Sequence, residues 1–168
     1  EQVAATQADV QLFWGEPREG IAERIARLKA LSRDLDRDLP PLEFGLRITT
    51  LIRDTREQAW RDAEAKVAQM AQVEGAGWHD HRRAVAEGQQ RLLDLQAQGE
   101  VLDENLYTTP GKFGAGGAAT TWLVGTADEV AQSLRRYAAL GITRFILSDT
   151  PYCLLYTSDA ADERSSVD

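Results

Sequence analysis

The segment from Thr121 to Tyr152 constrains the fold more than any other part of the chain. Thr126 and Glu129 have the spacing of a capping box, in which each side chain binds the other residue's backbone N–H. Gly141 stands where a left-handed helix cap belongs, so a helix should begin at Thr126 and end before this glycine. The apolar run 142–147 follows at once and predicts a buried strand.

The same alternation of strand and helix occurs earlier in the chain. Runs 8–15 and 42–52 are apolar and predict two strands, and each is followed by an amphipathic helix; the second helix spans about 55–70. Alternating strands and helices are typical of an α/β protein with a parallel sheet. Polar loops after such strands are where α/β proteins place their chemistry.

The strand 42–52 differs in polarity between its two faces. Side chains alternate across a strand, which gives two sets: Phe44, Leu46 and Ile48 on one face, and Gly45, Arg47 and Thr49 on the other. A covered parallel sheet is normally apolar on both faces, and a charged side chain there needs water, an anionic partner or a ligand. Arg47 is therefore either a binding residue or one half of a buried ion pair.

Trp14 ends the first strand. Its ring could form the wall of a pocket for a flat molecule, with its N–H bound to an acceptor, or it could be an ordinary core aromatic.

Three other sequence features give weaker evidence for a functional site. The run 111–117 (GKFGAGG) lacks the Ser or Thr that a phosphate loop has after Gly-Lys, so it predicts either a mobile lid or a plain connector.

His79 and His81 would face different directions on a helix, and without a third ligand we expect no metal site. Cys153 is the only cysteine, and no argument for a nucleophile or a disulfide depends on it.

Charge and hydropathy limit which partners the protein can bind and where in the cell we expect it. The formal net charge of −8 opposes nucleic-acid binding through phosphate neutralisation. The sequence has no signal-peptide pattern and no 18-residue apolar run, so we expect a cytoplasmic protein that does not span a membrane.

The two ends of the sequence lead to a separate expectation. Residues 153–168 are small, acidic and aperiodic, and they resemble the translation of a sequencing adapter, which predicts a non-native and disordered tail. The chain begins at Glu1 within a helical pattern. We therefore expect a fragment that is truncated at both ends, with residues 1–152 as its native part.

Four blocks together resemble the alkanesulfonate monooxygenase group of the bacterial luciferase-like, flavin-dependent oxidoreductases. The blocks are ADVQLFWGEP (8–17), FGLRITTLIRDTREQAW (44–60), EGQQRL (87–92) and GAGGAATTWLVGTADEVAQSLRRYAALGITRFILSDTPY (114–152). The resemblance implies a partial (β/α)8 TIM barrel that holds the last three barrel strands, at about 8–15, 43–52 and 142–148. The segment of about 71–119 would be the family's helical insertion before the final strand, which includes a mobile lid.

The resemblance also implies the chemistry. The family uses reduced FMN, supplied by a separate NAD(P)H-dependent flavin reductase, and O2 to oxidise a small organic substrate. In the alkanesulfonate members a C–S bond breaks, which gives an aldehyde and sulfite. Trp14 matches the family's active-site Trp and Arg47 its strand Arg, which suits a sulfonate or peroxide anion.

The chain departs from the family pattern at three places. Thr49 stands where the family has His, Thr150 stands where it has Tyr, and the lid Arg has no counterpart. The residues in that lid region are Lys112, Gly114, Gly116 and Gly117. A hydroxyl can donate a hydrogen bond but does not titrate near neutral pH as imidazole does.

Two alternatives to this function stay open. The parent could use the deazaflavin F420 and transfer hydride without O2, or the segment could be a non-catalytic acidic α/β interaction module. For the flavin enzyme we expect a full-length parent that is a homo-oligomer, and we expect the fragment alone to be inactive because it lacks the first five barrel strands.

Overall fold

A computed structural model describes residues 1–74, 87–113 and 120–149 of the chain. The helices are α1 Gln2–Gln7, α2 Arg18–Asp34, α3 Arg56–Glu74, α4 Glu87–Gln98 and α5 Ala127–Ala139. The strands are β1 Val10–Trp14, β2 Glu43–Ile52, β3 Val101–Leu102, β4 Leu106–Tyr107, β5 Trp122–Gly125 and β6 Ile142–Asp149, and a 3-10 helix covers Thr109–Phe113. None of the helices in these ranges is long and apolar enough to cross a membrane.

The strand β2 is the centre of the sheet, and three strands run parallel to it. β6 pairs with residues 44–50 of β2, β1 with residues 43–47 and β5 with residues 49–52. Because β6 overlaps both of the others, β1 and β5 must follow one another along the opposite edge of β2. The predicted parallel α/β architecture is confirmed: the sheet curls as part of a TIM barrel.

The two-faced character of β2 is also confirmed. Phe44, Leu46 and Ile48 are buried in the main core, where α2 and α5 cover them. The rings of Phe13 and Phe44 stack there with centroids 5.9 Å apart. The helices contribute one buried stripe each: Ile21, Ile25 and Leu28 from α2, and Val130 and Tyr137 from α5.

The ends of α5 follow the sequence prediction. The backbone N–H of Thr126 donates to Glu129 Oε2 at 2.8 Å, and the N–H of Glu129 donates to Thr126 Oγ1 at 3.4 Å, which completes the capping box. Gly141 has φ +107°, a conformation that glycine adopts without the steric cost of a side chain. This turn directs the chain from α5 straight into β6.

The glycine-rich segment 100–119 predicts a loop from its sequence, but residues 101–102 and 106–107 form strands and residues 109–113 form a 3-10 helix. β3 and β4 form an antiparallel hairpin there, and β4 extends the sheet by pairing with β5. Strands of two residues are too short to show an alternating pattern, and Asp103, at φ +49°, supplies the tight turn between them. Leu106 and Tyr107 are both buried.

A second core lies under α3, beyond the carboxyl half of β2. Its buried members are Leu51, Ala59, Ala63, Tyr107, Trp122 and Val124. Tyr107 makes edge-to-face contacts with Trp60 and Trp122, with ring centroids 5.4 Å and 6.1 Å away. The hairpin is therefore part of the packed body.

Ion pairs attach the turn of this hairpin to two helices. Pro17 is the N-cap residue of α2 and provides no side-chain cap; the Asp103 carboxylate instead accepts the N–H of Arg18 at 3.1 Å. Glu104 binds the Arg18 guanidinium at 2.9 Å and also pairs with Arg136 of α5. The hydrogen bond from Arg18 lowers the pKa of the Glu104 carboxyl.

Glu104→Gln is expected to lower the thermal stability at neutral pH, and the loss should fade in acid. The folded-state pKa of Glu104 lies below its ordinary value of 4.5, so its contribution is complete above that pH and is lost as the pH falls through the folded value. Melting temperatures of the chain and the variant between pH 3 and pH 7 provide the measurement. If the difference in melting temperature between the chain and the variant does not change with pH, the charge of Glu104 contributes nothing to stability.

Candidate functional site

The strand register places Trp14 beside Arg47. The two residues are Cα partners of β1 and β2, and Ile146 of β6 is the partner of Arg47 on the other side. Partners in a parallel sheet point to the same side, so Trp14 and Arg47 share the face opposite to the main core. We call this surface the Arg47 face; it consists of Leu12, Trp14, Gly45, Arg47, Thr49, Arg144, Ile146 and Ser148.

Arg47 is partly buried. Within the described ranges, no residue forms a hydrogen bond or an ion pair with it. Arg144 lies on the same face, nearer to the amino end of β6, and its Nε is 2.8 Å from Glu43 Oε2. Of the two cations, Arg47 is therefore the one that an anionic ligand could bind without breaking an existing pair.

The strand neighbours of Arg47 on this face are apolar: Trp14 on β1 and Ile146 on β6. Leu12 is 38% exposed and Ile146 is 48% exposed. Trp14 is partly buried. A charged fork surrounded by an indole and aliphatic side chains suits a molecule that has one anionic group and an apolar body.

Thr49 lies on the Arg47 face, two residues nearer to the carboxyl end of β2, but it is only 1% exposed. Its Oγ1 is 3.4 Å from Oγ1 of Thr120, which is also buried. Its register partners are Ser148 on β6 and Trp122 on β5. The Thr49 hydroxyl is therefore enclosed between strands, whereas Arg47 is more accessible.

The remaining predicted site residues are not joined to this pair by the described structure. Lys112 is an exposed residue of the 3-10 helix that packs against α3 and α4, and its Nζ is 5.2 Å from the centroid of the Phe113 ring. Gly114, Gly116, Gly117 and Thr150 lie outside the described residues, as do His79, His81 and the tail 153–168.

Glu16 is a buried polar residue close to Trp14 in the chain, and no sequence motif identified it. It follows Trp14 by two positions, and its carboxylate is 2.5 Å from Arg24 and 3.5 Å from Arg91. Its backbone carbonyl accepts the Tyr137 hydroxyl at 2.7 Å. Burial raises the pKa of that phenol, which therefore remains a hydrogen-bond donor. The signal for Glu16 in the sequence is that polar residues directly follow the apolar run 8–15.

An arginine-lined cleft of about 830 Å³ lies next to α1, α2 and α4. It contains Arg24, Arg27 and Arg91, which are already paired with Glu16 or Glu1. Arg24 also lies over the ring of Phe13, 4.6 Å from its centroid, on the face of β1 opposite to Trp14. The cleft is therefore separate from the Arg47 face.

The profile of the protein family described as "Luciferase-like monooxygenase" matches residues 2–144. The chain belongs to this family. The parallel strands β1, β2 and β6 are thus neighbours in a sheet that has the fold of a partial luciferase-like barrel.

Several solved structures share this fold. The chain resembles DmoA from Hyphomicrobium sulfonivorans (17% identity, TM-score 0.57) and EDTA monooxygenase EmoA from Chelativorans sp. BNC1 (14%, 0.55). It also resembles riboflavin lyase RcaE, solved with modified FMN and riboflavin (16%, 0.54). Each match covers 98% of this chain but only 39%, 44% and 40% of those chains, respectively.

Proposed function

We propose that this chain is the carboxyl-terminal part of a flavin-dependent monooxygenase that uses reduced FMN and O2. Its substrate would be a small organic anion, and an organosulfur compound such as an alkanesulfonate fits best. The observation that carries this proposal is the Arg47 guanidinium, which has no partner in the described structure and lies between Trp14 and Ile146 on the sheet.

The chemistry of these residues fits a flavin site. Trp14 presents a flat apolar ring on the same face as a cation, which suits an isoalloxazine ring or the substrate beside it. When bound, reduced FMN supplies the electrons that activate O2, and the protein orients the reactants and keeps water out. Trp14 and Arg47 are the residues that would contact the cofactor or the substrate.

Arg47 would bind the anionic group of the substrate. A guanidinium keeps its charge at all physiological pH values and offers parallel N–H donors that match two oxygens of a sulfonate. Leu12 and Ile146 would contact the alkyl part. Binding at both ends would fix which carbon of the substrate is oxidised.

The other predicted residues have supporting roles in this proposal. Thr49 would act on the site through the strand and its contact with Thr120, since its hydroxyl is buried. Thr150 would line the pocket after β6. Lys112 and the glycines 114, 116 and 117 would belong to the lid region of the family.

The test is turnover by the full-length parent protein. With FMN, NAD(P)H and a separate flavin reductase, alkanesulfonates should stimulate O2 uptake and release sulfite and an aldehyde, whereas the 168-residue chain alone should give no turnover. Binding of F420 without O2 uptake would favour the hydride-transfer alternative. A full-length protein that binds neither cofactor would contradict the proposal and favour an interaction module.

A further inference from the structure

A junction between two strands lies directly beside the candidate site. Along one edge of β2, β1 pairs as far as Arg47 and β5 begins to pair at Thr49. Gly15 follows β1 and Thr121 precedes β5, and the two residues meet at this gap. The Thr121 hydroxyl donates a hydrogen bond of 2.6 Å to the Gly15 carbonyl.

The fit at this junction is tight. Gly15 is buried, and a Cβ added to it would lie 2.3 Å from Thr121 Oγ1 and 2.7 Å from Ile48 Cδ1. Both distances are shorter than a carbon atom tolerates, so a side chain here would push the hydroxyl away. The glycine is what allows Thr121 to approach the end of β1.

Two successive carbonyls after Trp14 are therefore bound by side chains from distant parts of the chain. Thr121 binds the Gly15 carbonyl, and Tyr137 of α5 binds the Glu16 carbonyl. Thr121 is fully buried, so without its hydroxyl the Gly15 carbonyl would lose this donor in a region that water does not reach easily.

We propose that Thr121 is a positioning residue that fixes the orientation of Trp14 relative to Arg47. The Gly15 carbonyl lies in the rigid, planar peptide unit that joins Gly15 to Glu16, and Gly15 itself is packed tightly against Thr121 and Ile48. The hydrogen bond therefore restrains the backbone one residue after Trp14 and, through Gly15, the end of β1. Its effect on substrate binding rests on the function proposed above, but the effect on Trp14 does not.

Thr121→Val is the informative substitution, since valine keeps the shape and removes the donor, and Thr121→Ser restores the donor. In the full-length protein labelled with 5-fluorotryptophan, Thr121→Val should move the Trp14 fluorine resonance, which Trp14→Phe identifies. Thr121→Ser should return it towards its original position. The same valine variant should raise KM for the alkanesulfonate about tenfold, as expected when one buried hydrogen bond is lost.

Ser133→Ala is the matched control. It removes another buried hydroxyl, that of Ser133 on α5, which donates to Asn105 Oδ1 at 2.7 Å. This variant should lower the melting temperature without moving the Trp14 resonance or KM. If Thr121→Val behaves in the same way as this control, the positioning role is overturned.

A second variant covers the case in which Thr121→Val does not fold. Gly15→Ala keeps the hydroxyl but displaces it, so the Trp14 resonance should move here too, and an unmoved resonance would also overturn the proposal. If the protein shows no turnover at all, the proposed function fails, but the fluorine spectra still decide the role of Thr121.

Discussion

Arg47→Ala should lower kcat/KM for an alkanesulfonate by about a hundredfold or more in the full-length protein, since two charge-assisted hydrogen bonds would be lost. Arg47→Lys keeps the charge but not the planar fork, and a loss of about tenfold is expected. Steady-state kinetics with the alkanesulfonate and with an uncharged analogue of the same length would measure both. The defect should be confined to the anionic substrate, because only that substrate presents oxygens to the guanidinium.

The matched control for this result is Arg144→Ala. Arg144 is an arginine on the same face, but it is exposed and already paired with Glu43, and an exposed pair of this kind contributes little. The Arg144→Ala variant should keep a kcat/KM for the alkanesulfonate close to that of the unsubstituted full-length protein. Equal losses for the two variants, or full activity of Arg47→Ala, would show that the unpaired cation has no special role.

The sequence was sufficient to predict the two faces of β2 and the ends of α5. An alternating strand and a capping box are local patterns, and each is decided by residues within a few positions. The proximity of Trp14 and Arg47 was predictable only through the family resemblance. The 32 residues between them contain no local signal that specifies the register between β1 and β2.

What the sequence could not predict depends on contacts between distant residues. Thr49 resembles a site residue in the sequence, but Thr120, 71 positions away, encloses its hydroxyl. The short strands β3 and β4 are held by pairing with each other and with β5. Periodicity cannot reveal an element whose existence depends on its partners.

Leu46→Ala is the prediction with the largest expected effect on stability. Leu46 is fully buried at the centre of β2 and contributes to the main core. Its truncation should cost about 2–5 kcal/mol of unfolding free energy, because the cavity is enclosed by the sheet and the covering helices and cannot easily collapse. Urea unfolding of the 168-residue chain, followed by circular dichroism, would show this as a lower midpoint with an unchanged slope.

Leu12→Ala provides the control for this prediction, because the same atoms are deleted from the Arg47 face. Leu12 is 38% exposed, so less apolar area is involved and no enclosed cavity is left, and a cost of about half that of Leu46→Ala or less is expected. Similar losses at both positions would mean that the Arg47 face is as well covered as the core. An anionic substrate could then not reach Arg47 across that face, and the flavoenzyme proposal would lose the observation that carries it.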